Sequence, residues 1–129
     1  MKVLKLDITC VRSILPEFEE LPLGVYTPNT FSRSVSKFGI DSVEYTLKKL
    51  HEAGYINAKT TEPDTADLDF YGIFDMTFAG HEFLEKIRDN KVWAKTKSIA
   101  DSIGSQSFDV ITKIATSILT SLISANLGI

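Results

Sequence analysis

The stretch "DSVEYTLKKLHEAGYINAK", residues 41–59, restricts the fold more than any other part of the chain. Val43, Leu47 and Leu50 recur at helical spacing, with Gly54 on the same stripe and Ile40 and Ile56 at its ends. Asp41 is placed to cap the helix, because a short carboxylate there accepts a bond from an orphan N–H. Gly54 suits the left-handed residue that closes a helix. Directly after it "YINAKTT" and "DFYGIFDMT" are rich in β-formers and flank the polar run "EPDTAD". Many DNA-reading winged helices contain a helix that stops on glycine and feeds a hairpin, and so do many modules that never touch DNA.

The flanking segments extend this unit. Asp7 caps an expected first helix whose Ile8, Val11, Leu15 and Phe18 share one face. Pro16 lies inside that run, where it removes a helical hydrogen bond and crowds the preceding turn, so a kink or near-end is expected there. "LPLGVYTPN" is loop chemistry. "TFSRSVSKF" alternates loosely, with Phe31, Arg33, Val35 and Lys37 on one side, and reads as a short strand or a single irregular turn. Thr77 caps a helix with Gly80, Phe83, Leu84 and Ile87 on one face. "DNK" breaks it. A further helix over Lys91–Ile103 presents Val92, Trp93, Ile99 and Ile103. After "GSQS", with Ser107 as cap, a last helix runs from Phe108 to about Leu127.

The expected fold is therefore α+β: a winged-helix-like domain with a two-stranded wing over 1–89, extended by C-terminal helices over 90–129. The 129 residues suffice for a real core, and 43% hydrophobic with 24% charged residues is ordinary for a globular chain. The N-terminus shows no long apolar run followed by a small-residue cleavage site, which points to the cytoplasm. Cys10 has no second cysteine to pair with and reads as a buried, inert thiol.

The residues "MTFAGHEFLEKIRDNKVWAKTK" carry a family likeness. Thr77, Gly80, His81, Phe83, Leu84, Ile87, Arg88, Asp89, Val92 and Trp93 match a T-x-x-G-H-x-F-L motif followed by I-R-D/N and V-W. This pattern resembles an uncharacterised family common in phages and prophages, domain of unknown function 2513. "VEYTLKKLHEAGYI" and "SFDVI" look similar to it too. The resemblance implies a winged-helix-like fold, a mobile-element origin and a bacterial host cytoplasm. It implies no reaction.

Charge distribution bears on DNA binding. Residues 62–89 carry eight acids against two bases, Lys86 and Arg88, whereas a dedicated nucleic-acid binder shows a basic stripe. The wing itself holds Glu62, Asp64, Asp67 and Asp69, which would repel a phosphate backbone. As a functional surface, this acidic wing fits a basic protein partner, together with Tyr45 and Glu52 on the helix before it. In the alternative reading, Arg33, Lys37, Lys48 and Lys49 contact phosphate and Ser42 or Tyr45 a base edge. That helix has no Arg, Asn or Gln for bidentate base contacts, and Glu44 with Lys48 has the spacing of an ordinary surface pair.

Catalytic and cofactor signatures are missing from the sequence. His81-Glu82 begins H-E-x-x-H, but position 85 is Glu85. His81 is expected to bond a neighbouring backbone group or carboxylate near the helix start, and Gly80 to let that helix approach the sheet. The acids of the wing lack the glycine turn and terminal glutamate of a calcium loop. No metal, cofactor or catalytic residue is expected.

The C-terminal helix is the most unusual segment. From Ile114 to Ile129 it carries no charge. Ile111, Ile114, Ile118, Leu119, Leu122 and Ile123 supply a broad apolar stripe, and Thr112, Thr116, Ser117, Thr120, Ser121 and Ser124 occupy the rest. A solvent-facing helix normally carries charges opposite its stripe, and charge depletion marks interface cores. The charge-free run is shorter than the roughly 20 apolar residues of a bilayer span and lacks a basic face, so no membrane is expected. A homo-oligomer, with a dimer favoured, is expected through this helix. The leading expectation is a non-enzymatic, phage-type interaction protein that binds another protein; masking a host or defence factor would fit. The alternative is a winged-helix DNA-binding regulator.

Overall fold

The structure is a computed structural model and describes residues 5–60 and 70–128. In chain order it has α1 (Ile8–Glu19), a 3₁₀ turn (Pro28–Thr30), α2 (Ser32–Phe38), α3 (Ile40–Glu52), β1 (Ile56–Thr60), β2 (Phe70–Met76), α4 (Phe78–Ile87), α5 (Asn90–Ile103) and α6 (Phe108–Leu127). The fold is α+β: among the described residues six α-helices accompany a two-stranded antiparallel sheet, an arrangement consistent with a winged-helix-like domain followed by C-terminal helices. It divides into two compact units whose boundary falls between His81 and Glu82, inside α4.

The first unit is built on α1 and α3. Ile8, Val11, Ile14, Leu15 and Phe18 of α1 are buried, as are Val43, Leu47 and Leu50 of α3. Both apolar stripes follow the spacing read from the sequence. Asp7 caps α1 by accepting from the Thr9 N–H at 2.9 Å. Gly54 closes the α3 turn at φ +80°. β1 and β2 pair antiparallel, Ile56 opposite Met76 and Ala58 opposite Ile73, with irregularities that add residues on β2. Such bulges increase local twist. Tyr26 bridges Ile73 through two backbone bonds of 2.8 and 2.9 Å, adding a one-residue third strand after α1.

Two local expectations are corrected. Residues 32–38 form a helix, α2, and neither a strand nor a single irregular turn. Its N-cap, Phe31, has no side-chain cap bond; the Glu17 carboxylate of α1 takes that role, accepting from the Arg33 N–H at 3.2 Å and from the Ser34 hydroxyl. Phe31 is fully buried, its ring centroid 4.7 Å from that of Phe18. α1 therefore supplies both the cap and the aromatic seat for α2. Secondly, α3 begins at Ile40 with Gly39 as N-cap at φ +87°, so Asp41 lies in the first turn, where its charge favours the positive end of the helix. α1 passes Pro16 and ends three residues later at Glu19, in keeping with the expected near-end. Leu15, Glu17 and Phe18 are buried on both sides of the proline, and their packing outweighs one lost backbone bond.

In the second unit, α5 and α6 pack together as a helical hairpin. Asp89 caps α5 by accepting from the N–H groups of Lys91 and Val92 at 2.9 and 3.0 Å. Gly104 ends it in the left-handed region, and Ser107 caps α6 through the Val110 N–H. Phe83 and Phe108 stack with centroids 5.0 Å apart. The buried face of α5 is Val92, Thr96 and Ala100, one turn apart each. This corrects the expected face: Val92 is on it, Trp93 is half-buried, and Ile99 and Ile103 are exposed.

Candidate interaction surfaces

The Thr77–Gly80 pair is a structural clamp. The Thr77 hydroxyl accepts from the Gly80 N–H at 3.1 Å, capping α4, and donates to the Gly54 carbonyl. The Thr77 N–H donates to the Tyr55 carbonyl at 2.9 Å. A Cβ on Gly80 would stand 2.2 Å from that same carbonyl oxygen and 2.6 Å from Met76 Cγ. The close approach expected of Gly80 is thus made to the turn before β1. His81 differs from expectation: its side chain is exposed and bonds no described residue. Thr77 already serves the helix start, and water reaches the imidazole. Among the described residues, no three His, Cys, Asp or Glu side chains gather into a metal site.

The outer face of α3 brings three candidates together. Lys49 Nζ lies 2.9 Å from Glu52 Oε2 and 5.3 Å from the Tyr45 ring centroid. The Glu52 partnership raises the Lys49 pKa, and the Lys49 hydrogen bond lowers that of Glu52. Lys49 with Glu52 is thus an ion pair of this face. Arg33 pairs with Glu20 and lies 3.6 Å from Glu17. Lys37 Nζ stands 5.5 Å from the Phe38 ring centroid. Ser42 is exposed, and Lys48 half-buried. Two of the four cations proposed for phosphate thus already face carboxylates of their own chain. Glu62, Asp64, Asp67 and Asp69 lie outside the described residues.

The α5–α6 hairpin exposes most of the apolar helix. Ile111 and Ala115 are buried, whereas from Thr116 to Gly128 no residue is. Ile114, Ile118 and Leu119 are half-buried. Leu122, Ile123 and Leu127 are 47%, 57% and 66% exposed. Ile111 thus belongs to the interior of the hairpin, and the other five candidate interface residues remain reachable. Sequence reasoning missed a shallow groove of about 310 Å³ lined by Ile99 of α5 and Lys113, Ile114, Ser117 and Ile118 of α6. Its sequence signal was the pair Ile99 and Ile103, four apart and off the Val92–Thr96–Ala100 face. At 20 residues with a mean hydropathy of 1.4, α6 is also long and apolar enough to cross a membrane by length and composition alone. The whole helix therefore reaches the length that its charge-free part lacks.

The remaining exposed apolar side chains lie in the first unit. Leu23 and Val25 project from the loop after α1, and Val25 Cγ1 would meet a Cβ on Gly72 at 2.5 Å. Val25 and Phe74 thus cover Gly72 on β2.

No solved structure matches the chain. An uncharacterised protein of Haemophilus influenzae (strain ATCC 51907 / DSM 11121 / KW20 / Rd) is 29% identical over 123 residues, covering 88% of this chain and 93% of that protein. Residues 5–106 match the family described as "Hypothetical protein (DUF2513)". This span includes the Thr77–Trp93 motif, and the chain belongs to that family.

Proposed function

We propose that this protein is a non-enzymatic interaction protein that self-associates through α6 and binds a second protein. The observation that carries the reading is the exposed second half of α6. Thirteen consecutive residues, Thr116 to Gly128, contain no charge and no buried side chain. Three large aliphatic side chains there stand about half or more in water. Soluble proteins cover such contiguous apolar surface with a partner. The phage and prophage setting rests on the resemblance carried by Thr77–Trp93, and masking of a host or defence factor fits it. The acidic stretch 62–69, with Tyr45 and Glu52, is the proposed face for the second protein, whose surface would be basic.

The competing reading is a DNA-binding regulator, and the order α1, bridge, α2, α3, hairpin favours it. Electrostatics weigh against it. Arg33 and Lys49 are already paired within the chain, and the four carboxylates at residues 62, 64, 67 and 69 would repel phosphate. Binding to random duplex DNA at two salt concentrations, beside light scattering for mass, separates the readings. The expected result is a mass above 14.3 kDa and no DNA binding at low salt. Micromolar affinity that falls steeply with salt would install the regulator reading. A monomer that floats with lipid vesicles would replace self-association by a membrane role for α6.

A further inference from the structure

We infer that the partner of α6 is a second copy of this chain, with the exposed C-terminal half of each α6 seated in the α5–α6 groove of the other. This rests on the self-association reading and specifies its geometry. The chain carries both halves of the contact. One is the projecting end of α6, with Leu122, Ile123 and Leu127 exposed. The other is the groove of about 310 Å³ floored by Ile99, Ile114 and Ile118.

A chain cannot satisfy its own groove. Leu127 lies nine residues beyond Ile118, which is about 14 Å along the axis at 1.5 Å per residue. The helix is continuous from Phe108 to Leu127 and contains neither glycine nor proline. With no hinge, the end cannot fold back on the groove of its own helix. A two-fold axis solves this, because each copy then gives an end and receives one.

Charge and area support the same occupant. The face has no charge after Lys113, and Lys113 is paired with Asp109 at 3.0 Å. A neutral face meets its own copy without repulsion, whereas a basic or acidic patch could not. A contact along one helix about 30 Å long and 10 Å wide has a footprint of only about 300 Å². Stable partners bury about 800 Å² each. Adding the α5 flank, with Ile99 and Ile103 at 38% and 63% exposed, roughly doubles the footprint and brings it within reach of that area. The α5 residues thus belong to the interface, in an antiparallel four-helix arrangement.

The test uses the full chain and light scattering over a dilution series. The wild type is expected at twice 14.3 kDa. Ile99→Glu and Leu127→Glu each sit at exposed positions, so helix content by circular dichroism should be unchanged, and each should raise the dimer Kd at least ten-fold. A wild type that stays monomeric at every concentration overturns both this geometry and the self-association reading. A wild-type dimer that Leu127→Glu weakens but Ile99→Glu leaves intact overturns the groove seating alone.

Discussion

A methyl group added at position 80 would meet a backbone carbonyl oxygen at 2.2 Å, and a backbone atom cannot swing aside as a side-chain tip can. Helix propensity alone would have alanine stabilise α4 by about 1 kcal/mol over glycine. Overpacking against the Tyr55 carbonyl costs about 1–3 kcal/mol or more and wins. Gly80→Ala is therefore expected to lower stability by about 1 kcal/mol or more in urea unfolding. A neutral or stabilised variant would show that α4 can slide on the turn. Cys10 gives a second residue-scale expectation. It is fully buried, and burial pushes its thiol pKa up against the lowering effect of the Thr46 hydrogen bond. The fold thus favours the protonated thiol. That contribution is fully present below the unfolded thiol's pKa and is lost as pH rises through the raised folded value. The urea midpoint should fall more on the alkaline side in the wild type than in Cys10→Ala. Equal alkaline slopes in the two proteins would count against a thiol held neutral by burial.

At the scale of elements, α2 shows where the sequence was silent. The stripes of α1, α3 and α4 were legible because Val43, Leu47 and Leu50, or Phe83, Leu84 and Ile87, carry their own periodicity. α2 has seven residues and no local cap, and its N-terminal donors are met by Glu17, sixteen positions before Arg33. A tertiary cap leaves no local signature, and the loose alternation of Phe31, Arg33 and Val35 imitates a strand. Glu17→Ala should cost about 2 kcal/mol, since it strands the Arg33 N–H and the Ser34 hydroxyl in a site only 7% exposed. Chemical denaturation would measure it, and an unchanged midpoint would mean that Ser13, whose hydroxyl lies 2.8 Å from that of Ser34, suffices. On α5 the signal misled differently. Ile99 and Ile103 look like core by composition, but Thr96 and Ala100 occupy the inner face because α6 approaches closely enough to need small side chains.

For the whole molecule, the order of elements was readable while the surfaces were not. An apolar stripe on α6 could be counted in the sequence, but not how much of it its own chain covers. α5 has 14 residues and α6 has 20, and on α6 only Ile111 and Ala115 are buried. The candidate DNA face had the same limit. Lys48 and Lys49 read alike in sequence, but only Lys49 forms an ion pair with Glu52, and Arg33 pairs with Glu20, the C-cap of α1. The DNA and mass measurements therefore belong to this scale, where net surface charge and exposed area decide them.

The Thr77 clamp has one more consequence. Its bonds to Gly54 and Tyr55 tie the chain just before β1 to the chain just after β2. The hairpin is closed at its base like a drawstring, so α4 takes its position from the turn at residues 54–55 and is indifferent to the length of chain between the strands. Doubling a flexible loop adds only about 0.6 kcal/mol of closure entropy. A change in the number of residues between the two strands should therefore leave the junction of Gly54, Tyr55 and Thr77 in place.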